Sequence, residues 1–219
     1  MAGRAAPLYP HGAATPLPEC KPQEAKMRKR AETDAPILDV IAERWSPRAF
    51  DPERTMTEAD LKPLLEAARW APSSNNSQPW RFVYAFRGEP AFDALLDAAV
   101  PGNQAWVKRA SVLAYSVAKL HSDSGRALWH NRHDTGMALG YLLLQATANG
   151  FAVHPFGGFD SDKVMAAAGI TGDFEPVAGL AIGYAGDPAL LGEGEGRERE
   201  PRTRRAVADF AFHGRWPGA

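Results

Sequence analysis

The sequence predicts one α+β domain, in which helices enclose a small sheet in three layers, preceded by an arm. Amphipathic helical stretches and short apolar strands alternate along the chain. The 219 residues are 45% apolar and 23% charged, which is the balance of a soluble globular protein of one domain. The first 33 residues differ, because they carry five prolines, a basic run and few aliphatic side chains. We therefore predict a flexible Pro-rich, basic arm over 1–33 and a folded domain over 34–219.

Bulk charge and cysteine content narrow the class of protein. The formal net charge of −1 provides no basic field that would favour nucleic acid. No apolar run reaches the length of a membrane span. Cys20 is the only cysteine, so no disulfide can form within the chain. These features predict a soluble, cytoplasmic protein that binds neither nucleic acid nor a membrane, and they leave open whether Met27 is the true first residue.

Two amphipathic helices open the predicted domain. The first covers 34–44, with Asp34 as a candidate N-cap and an apolar stripe at helical spacing. The second covers 57–71, where Thr57 is the candidate N-cap and Asp60 completes an imperfect capping box.

Apolar runs and the residues that interrupt them predict the remaining elements. A long helix from about Trp129 to Asn149 is apolar on most sides, so we expect it at the centre of the fold. The segment 192–200 is charged and glycine-rich, and we expect it to be flexible. The predicted strands are 81–86, 111–118 and 176–184, and the predicted short helices are 90–100, 106–110 and 161–168.

An arginine pair near the start of the domain is a candidate anion site. Pro47 forces Ser46 into an extended backbone, and alternate side chains of an extended segment share a face. Arg44, Ser46 and Arg48 would then project together, as two guanidinium groups and a hydroxyl that suit a phosphate or carboxylate. The alternative is a surface cluster of ion pairs with Glu43 and Asp51.

A second arginine pair lies near the end of the chain. The stretch "PRTRR" places Arg202 and Arg204 two residues apart after a proline. Two such patches can converge on one phosphate from opposite ends of a domain. The alternative is a solvated basic segment paired with Glu198 and Glu200.

Two further stretches are candidates for ligand contact. In "APSSNNSQPW", residues 71–80, amide side chains offer donors and acceptors that suit the edge of a heterocycle, although a side-chain-capped loop is an alternative. In "HPFGGFD", residues 154–160, Gly157 and Gly158 allow close backbone approach, beside an apolar wall from Pro155 and Phe156. A tight turn is the alternative there.

The sequence contains no motif for a metal site, a Rossmann dinucleotide site or an acyl-transfer site. His130 and His133 lack a cysteine or carboxylate set at ligand spacing, so we predict no metal site. No G-x-G-x-x-G follows a strand, and there is no G-x-S-x-G for acyl transfer.

Taken together, these stretches resemble the FMN-dependent nitroreductase superfamily. The motifs that carry the resemblance are "RWSPRAFD", "EAARWAPSSNNSQPWRFV", "PFGGFD", "AIGYAGDP" and "PRTRR", in that order, over residues 36–216. The resemblance implies a mainly antiparallel sheet around a long central helix, and a homodimer with FMN at the subunit interface. The implied cofactor contacts are, at the phosphate end, Arg44, Trp45, Ser46, Arg48, Arg202 and Arg204; near the ring edge, Ser73, Ser74, Asn76 and Gln78; and at the ring face, Pro155, Phe156, Gly157 and Gly158.

The resemblance also implies a reaction. A family member of this kind takes a hydride from NADH or NADPH and passes it, ping-pong, to a nitroaromatic, quinone or similar small acceptor. No side chain is expected to act as a nucleophile, and His130 and His133 are the candidate proton donors. Trp45 stands where relatives often have His or Arg, and the stretch between strand 111–118 and the long helix is too short for the substrate-covering helix of many relatives.

Those departures leave the acceptor and the choice of nicotinamide open. One alternative is an FMN-binding protein with slow or no turnover, for flavin storage or redox sensing. Another is a specialised member such as a reductive dehalogenase. A third, an interaction domain without flavin, requires that the arginine pairs are coincidental.

Overall fold

A computed structural model of the chain describes residues 29–217. Across these residues the chain forms seven α-helices and four β-strands. The helices are α1 (Asp39–Glu43), α2 (Glu58–Arg69), α3 (Pro90–Asp97), α4 (Pro101–Val107), α5 (Asn131–Ala148), α6 (Ser161–Ala168) and α7 (Glu195–Arg199). The strands are β1 (Trp80–Phe86), β2 (Val112–Lys119), β3 (Ala152–Phe156) and β4 (Phe174–Gly183). None of the helices in the described part of the chain is long and apolar enough to cross a membrane.

The four strands form one antiparallel sheet in the order β1-β2-β4-β3. The two central strands, β2 and β4, are buried on both faces, which explains their nearly continuous apolar sequences. Alternate residues of β2 serve opposite faces: Leu113 and Tyr115 pack on one side, and Val112 and Ala114 on the other.

Helices cover both faces of this sheet. One core lies under α3, α4 and α6, and includes Phe92, Trp106 and Val164. The other lies under α2 and α5, and includes Leu64 and Leu142. The predicted three-layer α+β fold with a small antiparallel sheet is therefore confirmed.

The sequence prediction missed β3. Its second half contains His154 and Pro155, in a stretch for which the sequence suggests a ligand contact or, alternatively, a tight turn. Proline has no N–H to donate, but β3 is an edge strand, where a missing donor disrupts no central pairing. Pro155 lies opposite Leu180 of β4 in the sheet register.

Several predicted boundaries shift in the structure. Thr57 and Asp60 form a complete capping box at the start of α2. The helix predicted over 34–44 is shorter in the structure, where only α1 is helical. Its N-cap is Leu38, which has an extended backbone, and Asp34 caps nothing in α1. The segment 192–200, expected to be flexible, contains α7, whose Glu198 is buried.

The arm and the outer face of α5 complete the description. Residues 1–28, including Cys20 and Met27, lie outside the described residues. Arg30, within the predicted arm, donates to the carboxylates of Asp39 and Glu43. Helix α5 buries one face on the sheet, but Met137 and Tyr141 on its outer face are exposed in the single chain.

Candidate functional site

The segment that carries the first arginine pair is attached to the end of the sheet. The N–H of Asp51 donates to the carbonyl of Tyr184 at 2.9 Å, and the N–H of Gly186 donates to that of Ala49 at 2.7 Å. A Cβ at Gly186 would lie 2.6 Å from the carbonyl carbon of Phe50, so only glycine permits this approach. Residues 44–49 therefore lie beyond the carboxyl end of β4, next to β3.

A buried carboxylate holds the same segment from the other side. Glu198 of α7 is 3% exposed, and its Oε1 accepts the N–H groups of Arg48 and Ala49 at 2.8 and 3.1 Å. Hydrogen bonds to a charged acceptor stabilise a structure more than neutral ones do. Glu198 is thus a structural anchor for the arginine segment, which nothing in a charged, glycine-rich run of sequence indicates.

Arg202 anchors the segment's beginning. Its two terminal guanidinium nitrogens donate to the carbonyls of Ala42 and Arg44 at the end of α1. These bonds satisfy carbonyls that a helix C-terminus leaves unpaired. The Nε of Arg202 is buried and has no hydrogen-bond partner among the described residues.

The structure brings Arg44 of the first pair close to both arginines of the second pair. We call Arg44, Arg202 and Arg204 the arginine cluster. Burial, followed by the charges of Arg202 and Arg204, lowers the pKa of Arg44 from its ordinary value. Burial and Arg204 lower the pKa of Arg202 in the same direction, which Glu43 partly opposes.

Within residues 29–217, no carboxylate forms an ion pair with the cluster. Arg44 donates to the hydroxyl of Ser46 at 3.1 Å, and Arg204 donates to the carbonyl of Thr203 at 2.7 Å. Of the nearby acids, Glu43 pairs with Arg30, and Glu198 binds backbone N–H groups. None of the cluster arginines forms an ion pair with any residue in 29–217. The ion pairs with Glu43 and Asp51 that the alternative requires are therefore not formed among residues 29–217. Within these residues the cluster is a concentration of positive charge without an ion-paired carboxylate, although the charge of Glu43 acts on Arg202.

His154 lies beneath this segment. Because a carbonyl only accepts, the Nδ1–H of His154 donates to the carbonyl of Pro47 at 2.9 Å. Its ring lies 4.5 Å from that of Trp106, measured between centroids. Burial lowers the pKa of His154 to about 4; the Pro47 bond opposes this shift, and the charges of Arg48 and Arg44 add to it. The imidazole is therefore neutral at physiological pH.

The glycine pair that follows β3 has two distinct roles. A Cβ at Gly158 would lie 2.7 Å from Nδ2 of Asn103, which donates to the Gly158 carbonyl at 3.0 Å. Gly157 is exposed, and nothing lies within 4 Å of a Cβ built there. The ring of Phe156 packs in the core against Trp106, so only its backbone faces the glycine pair. The apolar wall expected from Phe156 is thus absent.

The polar loop, residues 73–78, has an unusual backbone. Asn75, Asn76 and Gln78 all have positive φ, between 45° and 54°. Such conformations are strained for residues other than glycine and are common at functional sites. Ser73 stabilises the loop, because its Oγ accepts the N–H of Gln78 at 3.0 Å. The side chains of Asn75, Asn76 and Gln78 are left exposed.

The loop is joined to the start of α5. Asp134 is 3% exposed, and its Oδ2 accepts the N–H of Ser74 at 2.9 Å. Its other oxygen lies 2.9 Å from Nδ1 of His133, which is exposed, as is His130. The two candidate proton donors therefore lie beside the polar loop.

Within one chain, the two halves of the candidate site are apart. The polar loop leads into β1, whereas the arginine cluster and the Gly157 turn adjoin β3. These are the two edge strands, separated by three strand spacings, or about 14 Å. Between residues 29 and 217, no hydrogen bond or ion pair joins the loop to the cluster.

Trp45 follows Arg44 in the sequence. The amine of Lys29 lies over its ring, 4.8 Å from the ring centroid.

Comparison with known proteins identifies related sequences. The model of the nitroreductase family matches residues 41–100 and 86–184. The oxygen-insensitive NAD(P)H nitroreductase of Salmonella typhimurium is 25% identical over 176 residues, covering 61% of this chain and 81% of that one. A protein of Thermus thermophilus named NADH dehydrogenase is 30% identical over 188 residues, covering 70% and 90%.

Solved structures show the same fold. An oxidoreductase described as containing FMN superimposes with a TM-score of 0.81 at 35% identity, covering 86% of this chain and 96% of the other. A nitroreductase of Exiguobacterium sibiricum, in complex with FMN, gives a TM-score of 0.67 at 22% identity, covering 83% and 98%.

The buried His154 predicts acid sensitivity. Its pKa in the folded chain, about 4, lies below the ordinary 6.5, so the unfolded chain binds more protons in that interval. Stability from this group is present above pH 6.5 and is lost as the pH falls towards 4. We expect the titration of His154 to lower the free energy of unfolding by about 2–3 kcal/mol between pH 7.5 and pH 4.5.

Denaturant unfolding at the two pH values measures this effect. His154→Asn keeps a donor for Pro47 and should flatten the pH dependence. His213→Asn, at an exposed histidine, should leave it unchanged. The same slope in His154→Asn as in the unaltered protein would contradict the assignment.

Proposed function

This chain belongs to the nitroreductase family, and from that premise we propose that it is an FMN-dependent oxidoreductase. It takes a hydride from NAD(P)H and passes it to a nitroaromatic, quinone or similar small acceptor. The observation that carries the proposal is the arginine cluster, which has no carboxylate partner in the described chain. Relatives named as NAD(P)H nitroreductases and a related FMN-containing oxidoreductase support it.

The cluster suits the phosphate end of FMN. Burial and then the charges of Arg202 and Arg204 lower the pKa of Arg44, and a dianionic phosphate would offset both effects. It would also offer an acceptor to the Nε of Arg202, which has no partner among residues 29–217. The hydroxyl of Ser46 and the guanidinium of Arg48 would complete the phosphate and ribityl contacts. Glu198 and His154 then act indirectly, because they fix the segment that carries these groups.

The remaining candidates suit the flavin ring. No atom lies within 4 Å of a Cβ built at Gly157, so a flat ring could approach there, and the backbone of Pro155–Gly158 would then line its face. The exposed amides of Asn76 and Gln78, with the hydroxyls of Ser73 and Ser74, would pair with the ring edge. When bound, FMN would supply the redox chemistry, in a ping-pong exchange of hydride between NAD(P)H and the acceptor. His130 and His133 would serve only to deliver a proton at an exposed position.

A second copy of the chain would complete the site. The polar loop and the arginine cluster lie at opposite edges of one sheet. A two-fold dimer can place the loop of each chain against the cluster of the other. The exposed Met137 and Tyr141 on α5 support such an interface, since they leave apolar surface uncovered on a long helix.

Rapid reduction of the bound flavin tests the proposed function. The purified protein should be yellow, and its flavin absorbance should bleach within seconds of anaerobic mixing with NADPH or NADH in a stopped-flow instrument. A protein that stays yellow would contradict the oxidoreductase assignment and favour flavin storage, redox sensing or specialised chemistry. A colourless protein that takes up no added FMN would exclude a flavin role altogether.

Mixed dimers test the shared site. Arg204→Ala alters the cluster, and Asn76→Asp alters the loop while tolerating its left-handed backbone. Each variant alone should bind little FMN. Co-expressed, they should form mixed dimers in which one site is intact, so that about a quarter of all sites recover normal affinity.

The measurement is the flavin content of the purified mixture at limiting FMN. Recovery shows that the loop and the cluster of one site come from different chains. If both came from the same chain, mixing would restore nothing.

A further inference from the structure

A cavity of about 220 Å³ adjoins the polar loop. Its walls come from Ser74 and Ser77 of the loop, from Arg126 and Trp129, and from Asp134 at the start of α5. A volume of this order accommodates one aromatic ring with its substituents, and is below the range typical of sites for drug-sized ligands. It is too small for a dinucleotide.

The outer wall of the cavity is an ordered segment, residues 120–128. The N–H of Leu128 donates to the carbonyl of Leu120, and the N–H of Ser122 donates to that of Arg126, both at 2.8 Å. At its base, Nδ1 of His121 lies 2.6 Å from Oδ1 of Asp173. Arg126 and Trp129 are therefore carried by a folded support, which reduces the entropy lost when they bind a ligand.

Of the charged side chains that line the cavity, Asp134 already has hydrogen-bond partners, whereas Arg126 has none among the described residues. Asp134 already accepts the N–H of Ser74 and contacts His133 through its other oxygen. The guanidinium of Arg126 makes no hydrogen bond or ion pair with any residue that the structure describes. An anionic group that enters the cavity would therefore find a cation available, while the carboxylate of Asp134 is engaged elsewhere.

After the cation of Arg126, the indole of Trp129 is the second feature of the cavity that suits ligand binding. Its side chain is 88% exposed at the rim, although an indole is normally half-buried or buried. An exposed indole offers a flat face on which an aromatic ring can stack. A cation and an indole within one small cavity match a flat ring that carries a negative group.

We propose that this cavity selects the electron acceptor, and that the acceptor is a single-ring aromatic compound bearing a carboxylate or similar anionic group. The anionic group pairs with Arg126, and the ring lies against Trp129. The inference rests on the proposed function, because the polar loop that forms one wall is also the proposed contact with the flavin ring edge.

For a nitro compound the reaction balances as follows. NAD(P)H gives up a hydride, that is, two electrons and a proton, and a second proton comes from solvent. One N–O bond of the nitro group breaks, the oxygen leaves as water, and the aromatic nitroso acid and NAD(P)⁺ are formed.

Binding without a reductant tests the inference directly. The probes are 4-nitrobenzoate and its neutral counterpart 4-nitrobenzyl alcohol, titrated calorimetrically into the oxidised holoprotein. We expect the benzoate to bind about ten- to a hundredfold more tightly, as one charge-assisted contact provides. Arg126→Gln should abolish this preference and leave the affinity for the alcohol unchanged.

Two further variants make the result specific. Arg109→Gln, at the other end of β2, removes a guanidinium that donates to the carbonyl of Ala105 and is remote from the cavity, and it should keep the preference. Trp129→Ala should weaken both probes by a similar factor. An equal affinity for the two probes in the unaltered protein, or a preference that survives Arg126→Gln, would overturn the proposal.

The proposed function can fail separately. Flavin reduction by NADPH is measured on the same preparations, without either probe. If the flavin is not reduced, the oxidoreductase assignment fails, whereas the binding preference is still read from the titration.

Discussion

The concentration of guanidinium groups at one end of the sheet is the constraint on which the candidate site depends. Burial, and then the like charges of Arg202 and Arg204, lower the pKa of Arg44, so that bringing these groups together costs free energy. The cluster persists because neighbouring groups hold it. Arg202 is bound to the carbonyls that end α1, and the buried carboxylate of Glu198 fixes the backbone at Arg48. An anion bound there would replace this repulsion by attraction, and for this reason we propose that the cluster binds a phosphate.

The antiparallel sheet sets the second constraint. Its central strands bury both faces, and its two edges carry different halves of the candidate site. A strand order of β1-β2-β4-β3 places the polar loop at one edge and the arginine segment at the other. The sheet cannot bring these edges together within a chain, because two strands lie between them. We therefore propose that two copies share the site, and the exposed apolar outer face of α5, of which Tyr141 is part, supports this proposal.

Much of this architecture could be predicted from local sequence, and the exceptions have physical causes. The capping box of α2 and the apolar runs of β2 and β4 depend on neighbouring residues, so pattern alone locates them. Strand β3 was missed because Pro155 argues against a strand unless it lies at an edge, which only the topology shows. The anchoring role of Glu198 depends on backbone donors 150 residues away in the sequence. The structure brings Arg44 close to Ser46, Arg202 and Arg204, whereas the contact of Arg48 with the same ligand stays a prediction. The resemblance, and not the spacing, suggested that ligand. The polar loop's left-handed residues and the contact of Asn103 with Gly158 leave no signal in a single sequence.

The central claim is that the arginine cluster binds a phosphate, and the comparison of FMN with riboflavin tests it most directly. The two flavins share the ring and the ribityl chain, so only the phosphate distinguishes them. Several guanidinium–phosphate contacts of about 1.5–3 kcal/mol each predict that the apoprotein binds FMN at least about a hundredfold more tightly than riboflavin. Arg204→Ala should weaken FMN binding by about 1.5–3 kcal/mol and leave riboflavin binding unchanged. Equal affinities for the two flavins, or an Arg204→Ala variant with unchanged FMN affinity, would contradict the account.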